Sequence, residues 1–378
     1  MGLVADGIRE LLIARTVKEP TPGELWGATS PQLEKALAFY DKKDSDSLPD
    51  TAWLPFAESK EKCRKELDKI IDACILVLGN CGATQCREKI RVNQKAITEA
   101  RERIIRCREQ SLSAPPEISL SVKGSPWTRS RENFEKLIVD EERSIESMLR
   151  QIEHFKTEFR NHLRNIGLEV SPDEADSFLL PVQDDIVSMA AVITHVAHLT
   201  DKLEYLVKES RELPAHTTRY YGIHVLLVYA IDRIQMHFIE MIDASYLPQL
   251  RVFEQDARQN IADAQAQISR EGPREQLSAN VEAGRATIEA AHFLTDVLRQ
   301  QRGTIEADNA HTKRMLAAAA NTYKTVRLSL NVAQLMNDCQ KEFQALRDLQ
   351  VPRLRPFQNL QLKAELQRLS ERMIAKQS

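Results

Sequence analysis

The sequence predicts an all-α fold, an elongated multi-helix bundle with long, coiled-coil-like helices. Three observations predict it. Glycine is scarce, 12 in 378 residues, against a usual share of about 7%, and glycine supplies the tight turns of β-rich and nucleotide-binding folds. Apolar residues recur at alternating spacings of three and four over long stretches, the pattern of paired helices. One such stretch, about 129–166, makes a helix of roughly 57 Å, as wide as a compact chain of this length at about 55 Å.

The elements follow in order. Residues 1–16 form an amphipathic helix with Leu3, Val4, Ile8, Leu11 and Leu12 on one side. Arg9 and Arg15 are balanced by Asp6 and Glu10, so a docking helix is favoured. A membrane-surface helix usually carries excess Lys and Arg, and peripheral membrane contact stays open as an alternative. Residues 17–56 hold Pro20, Pro22, Pro31, Pro49 and Pro55 with Trp26 and Trp53. Ser30-Pro31 is expected to start a helix to about Lys42, because Ser caps and Pro suits the first turn; the rest reads as a wrapping loop. Residues 1–56 are therefore expected to be an N-terminal arm.

Five of the six cysteines, Cys63, Cys74, Cys81, Cys86 and Cys107, fall in one segment. It reads as a helical hairpin over 57–110, turning at Gly79-Asn80-Cys81-Gly82. Its seams are Cys63, Leu67, Ile70, Cys74, Val77 and Cys86, Ile90, Asn93, Ile97, Ala100, Ile104, Cys107. A fold at the turn leaves Cys107 and Cys63 about 9 Å out of level, beyond disulfide reach of roughly 7 Å. Cys81 and Cys86, flanking the turn, are the two that could meet. Small buried thiols packing like Ala or Val fit the others, which favours a reducing compartment.

A break at 111–128 contains Pro115-Pro116 and Trp127. The long helix that follows has the seam Phe134, Ile138, Glu141, Ile145, Met148, Ile152, Phe155, Phe159, His162 and Ile166, and Gly167 ends it. Ser171-Pro172-Asp173-Glu174 reads as a capping box. Residues 175–212 read as helix interrupted at Pro181; beyond it the apolar residues from Ile186 to Leu199 cover most of the circumference, and 216–243 is apolar all round, so these two belong at the centre of the bundle. Helices follow at about 246–271, 273–302, 303–347 and 353–376, and 129–378 is expected to form one long-helix bundle.

Composition excludes several functions. With 52 Lys+Arg against 55 Asp+Glu the net charge is −3, and no basic stripe offers itself to nucleic acid. No stretch reaches the roughly 18 apolar residues of a membrane span, and no signal peptide is visible. The expected compartment is cytoplasmic, with periplasmic the alternative for a chain whose signal has been removed. The sequence contains no GxxxxGK[ST], GxGxxG or GxSxG, so NTPase, dinucleotide-enzyme and α/β-hydrolase chemistry fall away.

Metal-binding bundles place Glu-x-x-His pairs on facing helices, and none recurs here. If a metal is held, His195, His198, His237 and Glu240 on the two most buried helices are the candidates. No metal or cofactor is otherwise expected, nor any catalytic residue. Asp184-Asp185 suits a helix N-terminus, and Arg219-Tyr220-Tyr221 suits packing better than base stacking. Trp26, Trp53 and Trp127 stand in loops beside helices and, with Leu11 and Leu12, are the expected interaction residues, since Trp anchors interfaces.

Asn321-Thr-Tyr-Lys-Thr-Val326, the helix through Phe343-Gln-Ala-Leu346, and Val351-Pro352-Arg-Leu-Arg carry a resemblance. The C-terminal third resembles the toxic-anion (tellurite) resistance family typified by TelA and KlaA, with Val351-Pro352 where that family has an Ala-Leu-Pro break. The family's Asn-Gln-Gln-Gly-Tyr stretch is absent; His224-Val-Leu-Leu-Val-Tyr229 stands there. The resemblance implies an all-helical protein in a stress or defence setting, with no catalytic residues to transfer. The functional expectation is a non-enzymatic scaffold or adaptor that binds a protein partner or its own copy. A metal-binding bundle enzyme or sensor and a peripheral membrane protein are the alternatives.

Overall fold

The computed structural model describes residues 17–43, 48–51, 58–114, 130–171, 175–176, 178–179, 184–209, 214–268, 274–328, 344, 346 and 360–375. The amphipathic stretch 1–16 with Leu11 and Leu12, Trp53, Trp127 and most of 111–128 lie outside the described residues, as does the Val351-Pro352 break. The helices are α1 Pro22–Lys42, α2 Lys60–Leu78, α3 Gly82–Ser113, α4 Arg131–Asn165, α5 Asp184–Glu209, α6 Pro214–Met241, α7 Leu247–Ile268, α8 Arg274–Leu328 and α9 Leu360–Ala375. A π-helical turn, Ile242–Tyr246, joins α6 to α7. Among the described residues every such element is helical, so the fold is all-α. No described helix is long and apolar enough to cross a membrane.

The chain forms two compact units, one of Met1–Lys18 with Gly82–His162 and one of Glu19–Cys81 with Leu163–Ser378. The segment read as a hairpin over 57–110 thus contributes α2 to the second unit and α3 to the first. Within the second unit α2 packs on α1, α5 and α6. Within the first, α3 is bonded to α4, as described below.

Helix α1 begins earlier than the sequence reading placed it. Thr21 is its cap and Pro22 its first residue. The Glu24 amide donates to Thr21 Oγ1 at 3.2 Å and the Thr21 amide donates to Glu24 Oε2 at 2.8 Å, a complete capping box that outcompetes Ser30-Pro31 as a start. Pro31 then sits inside the helix, where it has no N–H for the Gly27 carbonyl; both residues are exposed, so water can meet that oxygen. Trp26 is consequently helical and half-buried, a correction to the loop assignment. Leu25, Leu33 and Ala36 put one face of α1 fully in the core.

Helices α5 and α6 form the centre, as their all-round apolar pattern requires. Val187, Ala190, Val192, Val196 and Leu199 of α5 and Ile223, Val225, Leu226, Leu227 and Ile231 of α6 are all buried. Around them lies the longest feature among the described residues. The α6–π–α7 run pairs antiparallel with α8 along its length: His292 Nε2 reaches Glu254 at 2.9 Å, Arg302 Nε donates to Asp243 at 2.8 Å, and Asn309 Nδ2 donates to Asp232 Oδ1 at 2.8 Å. Helix α8 is one element of 55 residues, about 82 Å long, whereas the sequence reading divided it at Gly303. A Cβ at Gly303 would meet nothing within 4 Å, so this glycine is a surface residue and marks no turn.

Gly167 does end α4. Its φ is +77°, the left-handed conformation that glycine adopts freely. Its amide donates to the Arg164 carbonyl at 3.0 Å and the Leu168 amide donates to the Leu163 carbonyl at 2.9 Å. These are the two bonds of a Schellman termination, with Leu163 and Leu168 both buried.

Candidate interaction surface

The α3–α4 hairpin is built from two heptad seams. In α3 the a positions are Ile90, Ile97 and Ile104 and the d positions Cys86, Asn93, Ala100 and Cys107. In α4 the a positions are Ile138, Ile145, Ile152 and Phe159 and the d positions Phe134, Glu141, Met148 and Phe155. Asn93 Nδ2 donates to Gln151 Oε1 at 3.5 Å, and Arg103 donates to Glu141 through Nε at 2.7 Å and Nη2 at 2.9 Å. Lys89 Nζ lies 4.8 Å from the centre of the Phe155 ring. In all three pairs the residue numbers total 244, so residue n of α3 stands level with 244 − n of α4, antiparallel. The two polar residues of the seams are both satisfied: Asn93, 2% exposed, by Gln151, and Glu141 by the fork of Arg103.

The two sides of this hairpin differ. At g positions Lys89, Ala96, Leu137, Gln151 and Glu158 are half-buried, while Arg103, Gln110 and Ser144 are exposed. The b and e positions form the other side, and there Arg91, Gln94, Thr98, Arg101, Ile105, Arg108 and Leu112 of α3 are all exposed. So are Glu132, Glu135, Val139, Glu142, Glu146, Leu149 and Glu153 of α4. Ile105 is 55% exposed, Leu112 80%, Val139 43% and Leu149 46%. Every exposed charge on the α3 strip is an arginine and every exposed charge on the α4 strip is a glutamate. Arg108 crosses to Glu142 at 3.1 Å, while Arg91 turns back to Glu88 at 2.9 Å. Glu132 and Glu146 pair with Lys136 and Arg150 of their own helix, and Glu153 with Lys156, the half-buried e residue that follows it.

The residues considered as metal ligands are not brought together. His195 is buried, and His198, His237 and Glu240 are exposed; the His195 and His198 rings lie 6.3 Å apart. Among the described residues no three His, Cys, Asp or Glu side chains converge as a metal requires. His195 Nδ1 meets the Leu78 carbonyl at 2.6 Å and so caps α2. Partial desolvation where its ring meets the protein, followed by the neighbouring His195, holds the His198 imidazole below the usual histidine range although its side chain reaches the surface. His224, buried on α6, is pushed down to about 3 by burial alone.

Arg219 is bonded to Glu34, and Tyr221 is buried in a cluster with Val207, Val225, Ala319, Tyr323 and Val326. That segment packs rather than stacks on a ligand. The five described cysteines are free thiols, four of them buried and Cys107 half-exposed.

Sequence reasoning missed two polar features of the second unit. Arg233 donates to Asp72 at 2.6 and 2.7 Å and lies 3.1 Å from Asp68, whose Oδ1 accepts from the Tyr229 hydroxyl at 2.5 Å. The hydrogen bond to Asp72 holds the guanidinium proton tightly, and burial together with Asp68 raises the Tyr229 phenol well above its ordinary range. The matched i,i+4 spacings of Asp68/Asp72 and Tyr229/Arg233 were the available signal. The other is a groove of about 770 Å³ between α7, α8 and α9, edged by Asn260, Asp263, Asn280, Thr287, Arg368 and Arg372. No pattern within one helix could reveal it.

No family model, no curated protein and no solved structure matches this chain.

Proposed function

We propose that this chain is a non-enzymatic helical scaffold or adaptor that works through protein–protein contacts made along its α3–α4 hairpin. The observation that supports the reading is the exposed b/e side of that hairpin. Ile105, Leu112, Val139 and Leu149 stand exposed there along a helix pair about 48 Å long, with Ile105 level with Val139. Interaction surfaces combine apolar contacts with a charged rim, and here arginines and glutamates flank these side chains. Helix α1, which the sequence made a candidate contact arm, is engaged inside the second unit through Leu25, Leu33 and Ala36, so the hairpin is the better surface. The free thiols favour a reducing, cytoplasmic setting, and the family resemblance adds a stress or defence context.

The test is isolation of the tagged full-length chain from its native host under mild conditions, followed by cross-linking and mass spectrometry. The reading expects a stoichiometric assembly whose cross-links fall on α3 and α4, lost when Ile105→Glu and Leu112→Glu are combined. A chain that returns alone at its own mass of 43.1 kDa would overturn it.

A further inference from the structure

The charge on the exposed hairpin side is segregated by helix, and that segregation identifies an occupant. We infer that the b/e side of α3–α4 docks on the same side of a second copy of this chain, forming a four-helix bundle about a two-fold axis parallel to the helices. This rests on the scaffold reading and names its partner.

Two hairpins stacked face to face can be related by a two-fold axis in two ways. An axis running across the helices lays α3 on α3, so that Arg91, Arg101 and Arg108 meet arginines and the glutamates of α4 meet glutamates. An axis running along the helices lays α3 of each copy on α4 of the other. Arginine then faces glutamate from Arg91 to Arg108, with the half-buried Lys156 lying just beyond that stretch, and each helix is antiparallel to both neighbours, as in up-and-down bundles. Like charges set directly opposite are costly and opposite ones fix register, so the second arrangement is selected.

The level of each side chain agrees. A parallel axis keeps every residue at its own height, so residue n of α3 faces 244 − n of the second copy's α4. Arg91 falls level with Glu153 of the second copy. Arg101 falls between its Glu142 and Glu146, and Arg108 beside its Glu135. Ile105 falls level with Val139 both in its own hairpin and across the interface, so these two residues and their copies make one apolar layer at the centre. Among the described residues Arg101 and Glu135 enter no ion pair within the chain. The ion pairs of Arg91, Arg108, Glu132 and Glu146 are exposed ones of the kind worth at most about 1 kcal/mol, so they can exchange for contacts across the interface.

The experiment uses the full chain, by light scattering after size exclusion and by sedimentation over about 1–200 µM. The wild type is expected to form a reversible dimer of twice 43.1 kDa. R91E/R101E and E146R/E153R each reverse charge on one strip only, and each is expected to raise the dimer Kd about 30-fold or more. Mixing the two variants restores arginine against glutamate at both halves of the interface, so the mixture is expected to dimerise again as a heterodimer. All four positions are exposed, and unchanged circular dichroism and melting show that the variants fold. A wild type monomeric at about 200 µM, a dimer indifferent to both variants, or a mixture that stays monomeric would each overturn the inference. A monomer that still carries another protein on α3–α4 would overturn the inference and leave the scaffold reading standing.

Discussion

His195 on α5 closes the end of α2: its Nδ1 lies 2.6 Å from the carbonyl oxygen of Leu78, the last residue of that helix. The last four carbonyls of a helix have no partner of their own, and this one is met by a side chain that is only 2% exposed. Glu19 Oε1 stands 3.9 Å from the other ring nitrogen. An imidazole counted among the candidate metal ligands is therefore occupied as a structural cap.

His195→Ala is expected to cost about 2–4 kcal/mol, since it leaves a buried carbonyl unpaired and opens a cavity. His195→Gln, which can still present an N–H, should cost less. Urea unfolding of the three proteins checks both. Equal losses for Ala and Gln would mean that ring packing, not the bond to Leu78, is what α5 provides.

Gly222 on α6 admits the side chain of Leu37 from α1. A Cβ there would lie 2.6 and 2.7 Å from the Leu37 methyl groups and 3.1 Å from the Tyr323 ring. Gly222→Ala should therefore destabilise by about 1–3 kcal/mol despite the better helix propensity of alanine. Leu37→Ala should relieve much of that penalty, so the two changes together should cost less than the sum of each alone. Additive losses in the double-mutant cycle would show that α1 moves aside instead.

His224 predicts a pH dependence. Burial lowers its pKa from an ordinary 6.5 to about 3 in the folded chain, so between these values the unfolded chain binds a proton that the folded one does not. Stability must fall as pH drops through that window, with a limiting slope of about 1.4 kcal/mol per pH unit from this residue. Unfolding measured at pH 7, 6 and 5 should show a shallower slope for His224→Leu than for the wild type. Parallel slopes would place the acid sensitivity in the carboxylates.

Where one helix carries the information, the sequence was sufficient. The seams of α3 and α4, the burial of α5 and α6 and the stop at Gly167 all follow from periods and glycine within single segments. What failed depended on competition or on partners. Ser30-Pro31 is a reasonable helix start until Thr21 and Glu24 cap the same helix nine residues earlier. Gly303 resembles a break until the neighbouring helix shows that α8 passes straight through it. The pairing of α3 was the hardest case, because its seam is as compatible with α2 as with α4. Asn93 opposite Gln151 and Arg103 opposite Glu141 identify the partner, and those matches lie 58 and 38 residues away in sequence. The charged side of the hairpin was hidden for the same reason: arginines on α3 and glutamates on α4 become one surface only once the register is known.

Asn93 itself carries a stability prediction. A polar residue in a coiled-coil seam fixes register at a cost in stability. Asn93→Leu is expected to raise stability by about 1 kcal/mol, since Gln151 is half-exposed and can turn to water. A fall in melting temperature would show that the 3.5 Å bond to Gln151 outweighs an apolar side chain at that level.

The thiols should react in an order set by burial. Cys63, Cys74, Cys81 and Cys86 are buried and Cys107 is half-exposed. Burial pushes the Cys74 thiol up to about 11, and its Sγ lies 3.4 Å from Gln32 Oε1, to which it donates. The thiolate is the nucleophile, so at pH 8 only about one Cys74 side chain in a thousand is ionised even before access is considered. Brief treatment of the native protein with iodoacetamide, read by peptide mass spectrometry, should label Cys107 first and Cys74 only after denaturant is added. Labelling of Cys74 at the rate of Cys107, with melting unchanged, would mean that α1 and α2 separate locally in the folded chain, because the thiol cannot ionise or meet the reagent while Gln32 and the core cover it.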